Sequence, residues 1–391
     1  MRVLMVSDTY FPRISGVASS IRSFRAGLAR LGHEVDLIVP RYGVDDMNEP
    51  GVFHADAWRI PLYPEERIMA PGKHAFWEQC GKTLGYDVIH IQTPFVAHIY
   101  GLRLARKWGI PVAVSYHTHF EAYIGHYYPW LSRTGGRAMV RAISRRQCQS
   151  ADVIIAPSTA MARVLGSYGV RTRIDVIPTG IDMSSSYGGD GSDFRIRNGI
   201  NLTRPIILYA GRLAPEKNIP FLLEVTARLR TAIPDILMLM AGDGPARPAL
   251  EAFVHEHHLT DAVRFLGYVD RDTTLKEIYR AADLFVFASQ TETQGMVLLE
   301  ALAAGLPIVA ISALGVADLL ASHQGTCSSK ADPDKFSAAC LEILKNPALH
   351  ARMATEAVQH AMRLSQDAMS RRLGETYAGL VGVADAIRGV A

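Results

Sequence analysis

Two glutamates stand eight residues apart in the stretch SQTETQGMVLLEALAAGLPIV, residues 289–309. Glu292 sits in a short polar run, and Glu300 lies among Leu, Val and Ala. An ionised carboxylate in apolar surroundings is costly unless something pairs with it. The preceding LFVFAS reads as a strand, and MVLLEALAAG reads as a helix closed by Gly305. Glu292 then belongs to the strand-to-helix loop and Glu300 to the helix. The first N–H groups of such a helix, here Gly295, Met296 and Val297, have no intrahelical acceptor and attract phosphate. Gly295 allows a ligand close to the backbone. Glu300, one turn further in, has the acceptor oxygens a ribose diol needs. The plainer alternative makes Glu292 a capping side chain and Glu300 an ordinary helix-surface charge.

Other strand ends carry chemistry too. In YAGRLAPEKNIPFLLE, Arg212 and Lys217 lie between a strand and a helix, as two cations for a diphosphate would. There they would stabilise charge developing on a leaving phosphate. In VSDTYFPRISGVASSI, Gly16 opens the first long helix and can let its N-terminus approach a ligand. No GxGxxG dinucleotide fingerprint is present. SYHTHFEAYIGHYYP places His117 at a strand end, followed by His119, Glu121 and His126 among Tyr116, Phe120, Tyr123, Tyr127 and Tyr128. This is either a packed aromatic loop or an acceptor pocket with a sugar-contacting histidine; the spacing is not that of a helical metal site. The DRD at 270–272 resembles a metal-binding DxD, but Asp272 or Thr273 more simply caps the helix that follows. HEHH at 255–258 reads as a solvated helix end.

These residues need a frame, and the rest of the chain supplies it. Short apolar runs alternate with helical stretches along 391 residues, of which 49% are hydrophobic and 20% charged, as in an ordinary globular protein. Near-continuous Val, Ile and Leu runs with polar carboxyl ends are the mark of parallel strands covered on both faces. They fall at residues 2–7, 34–40, 87–91, 111–117, 152–158 and 175–182, and again at 205–211, 236–242, 263–269, 284–289 and 307–311. Two doubly wound α/β domains follow, with ligands at the strands' carboxyl ends and in the cleft the domains face across. The Gly/Ser-rich stretch after Asp182, residues 183–200, reads as the linker.

Four cysteines without CxxC spacing argue against disulfides or zinc and fit a reducing cytoplasm. The apolar run at 301–317 is split by Gly305 and Pro307 and reads as helix, turn and strand rather than a membrane span. Residues 1–180 hold 21 Lys and Arg against 14 Asp and Glu, whereas residues 181–391 hold 20 against 24. The basic first half suits an anionic surface or ligand. Arg133, Arg137, Arg141 and Arg145 recur every four residues, with Arg146 adjacent. On a helix they form one stripe, either a solvated face or a contact for anionic lipid.

Taken in order, IPTGID, GRLAPEKN, GDGPARPALE, FLGYV, YRAADLFVFAS and the E-x7-E element resemble the retaining GT-B glycosyltransferases of family 4 over nearly the whole chain. YHTHFEAY, EKNIPFLL and TETQGMVLLEALAAGLPIVA look most like the diacylglycerol glucosyltransferases. The resemblance implies a Rossmann-like acceptor domain at 1–180 and a nucleotide-sugar domain at 181–365. A helical tail at 366–391 packs back on the first domain. It implies transfer of a hexose, glucose from UDP-glucose, to a lipid such as diacylglycerol. The alternatives are a soluble sugar acceptor, a sugar-nucleotide epimerase or a binding module without catalysis. Carried over residue by residue, Glu292 lies near the donor sugar and Glu300 on the ribose. Arg212 and Lys217 hold the diphosphate, the base meets backbone at Gly267, Tyr268 and Val269, and His117 faces the sugar. Tyr116, His119 and Tyr123 fall to the acceptor. No metal, cofactor or nucleic acid is implied, and the protein is expected in the cytoplasm, peripheral on the membrane. Departures from the family pattern are Ser15-Gly16 for the usual Gly-Gly, Asp318 as the only acid in ALGVADLL, and GTCSSKADPDKF.

Overall fold

The computed structural model describes residues 1–13, 15–43, 49–60, 63–70, 84–121, 135–186 and 188–390. The chain divides into two compact units, Met1–Gly180 with Gln366–Ala391, and Ile181–Ser365.

Among the described residues of the first unit, nine strands run in chain order. They are β1 (Arg2–Val6), β2 (Glu34–Pro40), β3 (Val52–Ala55), β4 (Ala57–Ile60), β5 (Tyr63–Met69), β6 (Val88–Ile91), β7 (Val112–Ser115), β8 (Val153–Ala156) and β9 (Arg173–Val176). Seven form a parallel sheet in the order β3-β2-β1-β6-β7-β8-β9, and β4 and β5 pair as an antiparallel hairpin. The sheet order changes direction between β1 and β6, and loops after those two strands form the switch point. Buried Ile21, Phe24 and Leu28 of the Gly16–Arg30 helix face the core. Ser15 caps that helix by accepting from Ala18 N–H (3.1 Å), and Gly32 follows its end with φ 81°.

The Gln366–Val390 helix belongs to this unit. Gln366 donates to Ser23 O (2.5 Å), Thr376 donates to Asp175 (2.8 Å), and Leu373 and Tyr377 are buried.

The second unit holds β10 (Ile206–Ala210), β11 (Leu237–Ala241), β12 (Val263–Gly267), β13 (Leu284–Phe287), β14 (Ile308–Ile311) and β15 (Thr326–Ser329). Their order is β12-β11-β10-β13-β14-β15, all parallel, so the switch point lies between β10 and β13. Every residue of β10, β11, β13 and β14 is buried, because helices cover both faces.

Three expectations change. The stretch read as a linker is folded: Met183–Ser186 and Gly191–Arg197 are helices of the second unit. Asp190 caps the latter by accepting from Ser192 and Asp193 N–H, and Phe194 enters the core. The Thr274–Ala281 helix has Thr273 at its N-cap, one of the two residues expected there, but no side chain caps it; Asp270 Oδ1 instead accepts from Asp272 and Thr273 N–H and from Thr273 Oγ1 (2.6 Å) in the turn before the helix. The strands β3 and β15 and the β4–β5 hairpin were not anticipated. His255, His257 and His258 are exposed. No helix among the described residues is long and apolar enough to cross a membrane.

Candidate active site

The switch point of the second sheet gathers the charged residues that the sequence singled out. Arg212 and Lys217 follow β10, and Glu292 follows β13, the neighbouring strand. Lys217 Nζ pairs with Glu292 Oε1, each side chain about four-fifths buried. Arg212 is half exposed and turns to Glu216 (2.7 Å). Ser289 Oγ donates to Glu216 O (3.2 Å) and so ties the two loops. Beneath them Tyr209 is fully buried and donates to Arg212 O (3.0 Å); burial, then Glu292, holds its phenol protonated.

The Met296–Ala303 helix starts at Gly295 in the left-handed region (φ 84°), without a side-chain cap. Glu292 is therefore not its capping side chain. A residue with a Cβ would be strained at 295 and would press on Leu298. Gly315, overlooked in the sequence, backs the same loop. Its N–H donates to Glu292 O (2.9 Å), and a Cβ there would run into the Thr293 carbonyl.

Glu300 is largely buried and paired. Arg271 meets its Oε1, and Tyr279 donates to its Oε2 (3.0 Å). Burial works against the Arg271 charge, but the Glu300 carboxylate outweighs it and raises its pKa. Tyr279 is pushed well above the ordinary phenol range by burial and by Glu300. Arg271 went unread because it sits inside the DRD motif. Tyr268 is 69% exposed and Val269 half-buried beside Gly267, whose φ is 70°. This junction has an open helix start, two nearby cations and two held carboxylates, which suits a nucleoside diphosphate sugar.

The first unit has its own constellation at the β1–β6 switch point. Buried Asp8 accepts from Thr93 Oγ1 (2.7 Å) and Ala97 N–H (3.0 Å), joining the two loops. Burial raises its pKa, against those two hydrogen bonds. His117 Nε2 bonds Gln92 Oε1 (3.0 Å), and burial lowers its pKa to about 4. Behind it, fully buried His90 lies between Tyr377 Oη (2.5 Å) and Ser115 Oγ (2.8 Å), with its pKa lowered to about 3 by burial and by His117.

A cavity of about 460 Å³ opens here, lined by Asp8, Gln92, Val96, Tyr116, His117 and Phe120 among others. Tyr116 is buried, bonds Ser144 Oγ (2.8 Å) and has its hydroxyl pKa pushed up to about 12 by burial. His119 does not line the cavity; burial lowers its pKa. At Gly16 a Cβ would meet nothing, so packing makes no demand for glycine there. Tyr123, His126, Tyr127, Tyr128 and Arg133 lie outside the described residues.

The Gly136–Cys148 helix carries the remaining arginines. Arg137 and Arg145 are exposed, with Met139 and Ile143 also exposed on the same helix. Arg141 instead pairs with Glu121 (2.6 Å), which also accepts from Tyr168 (2.8 Å). Among the described residues, no three His, Cys, Asp or Glu side chains gather as metal ligands.

Residues 191–360 match the family described as Glycosyl transferases group 1, and residues 14–185 match Glycosyltransferase Family 4. The chain is 32% identical over 324 residues to alpha-monoglucosyldiacylglycerol synthase of Streptococcus pneumoniae, which spans 79% of this chain and 71% of that one. It is 28% identical over 335 residues to GDP-mannose-dependent alpha-mannosyltransferase of Mycobacterium tuberculosis, 83% of this chain and 82% of that one. Anabaena Alr3699/HepE, solved in complex with UDP, has the same fold with a TM-score of 0.78 at 19% identity, over 97% of this chain and 100% of that one. Two Rossmann-like domains of this order define a GT-B protein. The chain belongs to the group 1, family 4 glycosyltransferases.

Proposed function

We propose that this glycosyltransferase moves glucose from UDP-glucose, with retained configuration, to a lipid acceptor such as diacylglycerol. The observation that carries the reading is the pairing of Lys217 with Glu292 and of Arg271 with Glu300 around one uncapped helix start. That spacing matches a donor whose sugar, diphosphate and ribose follow one another. Unit 2 takes the donor. Unit 1 takes the acceptor, with Tyr116 and His117 on its cavity. The lipid is supported by relatives in Streptococcus pneumoniae and Acholeplasma laidlawii, both named alpha-monoglucosyldiacylglycerol synthase.

Chemically, the acceptor hydroxyl attacks the sugar's anomeric carbon on the face the phosphate leaves, and the leaving phosphate takes its proton. Arg212, Lys217 and the helix start stabilise the charge that develops on the diphosphate. These groups supply that charge themselves, so turnover is expected with EDTA present. The exposed Arg137, Arg145, Met139 and Ile143 of one helix suit the surface of an anionic membrane.

The test is a screen of UDP- and GDP-sugars against diacylglycerol and soluble sugars. Glucose transfer from UDP-glucose to diacylglycerol is expected. Transfer to soluble sugars alone would sink the lipid reading, and GDP-mannose as the preferred donor would sink the UDP-glucose one. The second outcome has a specific basis in the mannosyltransferase relative. Replacing Arg137 and Arg145 by Gln should weaken sedimentation with anionic liposomes and reduce its salt dependence.

A further inference from the structure

The cavity at the β1–β6 switch point is more apolar than a sugar site requires. Its volume, about 460 Å³, is that of a small-molecule pocket. Val17, Val96, Val114, Phe120 and Cys148 line it beside the aromatic face of Tyr116. Cys148 is buried and its thiol is pushed up to about 12 by burial, so it presents a small apolar surface. Among the polar residues of the lining, Gln92 carries a buried amide donor without a partner. Gln92 is 1% exposed and lines the cavity; its Oε1 is taken by His117, but its Nε2 has no hydrogen-bond partner among the described residues. A buried N–H left unpaired is costly, and a ligand oxygen would relieve it. Of the lining, Phe95 is 60% exposed, and Ile99, one turn further along the chain in the Val96–Trp108 helix, is 71% exposed. The exposed wall of the chamber is mostly apolar, though Asp8, Thr9, Arg13 and Ser15 also line it, and Gln92 Nε2 is a buried amide donor there, with His98 Nδ1 a second unpartnered nitrogen among the described residues.

We propose that this cavity takes one acyl chain of the acceptor lipid, whose ester carbonyl accepts a hydrogen bond from Gln92 Nε2. The proposal rests on the lipid-acceptor reading above. A soluble sugar would leave the mostly apolar wall uncovered by hydrocarbon, whereas an acyl ester brings an apolar chain to that wall and one acceptor for Gln92. The glycerol hydroxyl then stays on the His117 side of the cavity.

The test uses short-chain diacylglycerols kept below their aggregation limit, with UDP-glucose as donor. For the wild type, kcat/KM should rise about four-fold per added methylene, the value of burying one CH₂. It should then level off once the chain fills the cavity. Val96→Phe and Cys148→Leu should bring the plateau to shorter chains, and Phe120→Ala should move it to longer ones. Thermal melts show which variants are folded, and the enlarging and filling changes check each other.

A second readout compares ester with ether-linked diglycerides, which lack the carbonyl. The wild type should prefer the ester roughly five- to ten-fold, and Gln92→Met should lose that preference whatever happens to its overall rate. A plateau that does not move in any folded cavity variant overturns the proposal, as does an equal rate on ester and ether in the wild type. In either case transfer to diacylglycerol itself continues. Transfer to soluble sugars with none to any diacylglycerol overturns the lipid reading and this proposal together.

Discussion

Lys217 and Glu292 form an ion pair between two loops that leave adjacent strands, β10 and β13. Neither side chain is more than one-fifth exposed, so removing one partner leaves the other buried and unpaired by it. If Lys217 stabilises the leaving diphosphate, Lys217→Ala should lower kcat by about 10²–10³, the usual cost of removing one donor to developing charge. Glu292→Gln should also be slow. The double variant should lose less than the two single losses combined, because the residues are in contact. Initial rates of UDP release measure all three. A kcat for Lys217→Ala within two-fold of wild type would remove it from catalysis.

Arg271 and Tyr279 divide the two oxygens of Glu300 between them. A carboxylate oxygen has two lone pairs, so both contacts leave room for a ribose hydroxyl. The pair holds Glu300 in place before the donor arrives. Arg271→Ala should therefore raise the KM for the donor about ten-fold, the scale of a charged hydrogen bond lost, with kcat little changed. Tyr279→Phe should act in the same direction and less. Titration of the protein with UDP reads the same loss without turnover. Unaltered UDP affinity in both variants would show that Glu300 does not meet the nucleotide.

The buried strands were legible because their chemistry is uniform. Ile206–Ala210 and Leu284–Phe287 are covered on both faces, and nothing but an apolar run could fill them. The edge strand Thr326–Ser329 was not legible, since three of the four residues of TCSS are polar and, among the described residues, one side of it has no strand neighbour. Gly-Gly-Asp-Gly-Ser near residue 190 signals a turn equally well before a helix as in a linker; Asp190 decides for the helix by capping it.

At the donor site, the isolated charge of Glu300 announced a partner but not which one. Arg271 is 29 residues away in sequence, and only the packing of two helices' ends brings it there. Asp8 and Gln92 were within reach of the same rule that selected Lys217 and Glu292. Both stand just past the carboxyl ends of strands at a switch point, in a half that was read for its histidines instead.

Arg195 carries much of the order in the folded stretch that follows Asp182. It is buried and donates to the carbonyls of Ala281, Asn201, Leu202 and Arg204 (2.7–3.2 Å) and to Asp283 (2.9 Å). Arg195→Leu leaves those acceptors unmet. Asp283 is partly solvated, so the cost should fall at about 3 kcal/mol, the low end for breaking a buried pair. The thermal midpoint should drop by roughly 10 °C. A midpoint within 2 °C of the wild type would show that water replaces the arginine at no cost.

His90, His98 and His117 give the first unit a pH dependence whose sign can be worked out. Burial lowers their folded-state pKa values to about 3, about 4 and about 4. In the unfolded chain each binds a proton near pH 6.5. Above that pH both states are neutral and the three contribute no pH dependence. As pH falls below 6.5 the unfolded chain takes up protons that the folded chain refuses, so stability falls, and it stops falling on their account near pH 3. Each histidine adds a slope of about 1.4 kcal/mol per pH unit within its window. His98→Gln should therefore make the loss between pH 6.5 and 5 shallower by about that slope. His98 is the suitable choice because it meets Ser150 at 3.1 Å rather than His117. Urea unfolding at several pH values measures it, and identical slopes for wild type and variant would mean that His98 is protonated in the folded protein.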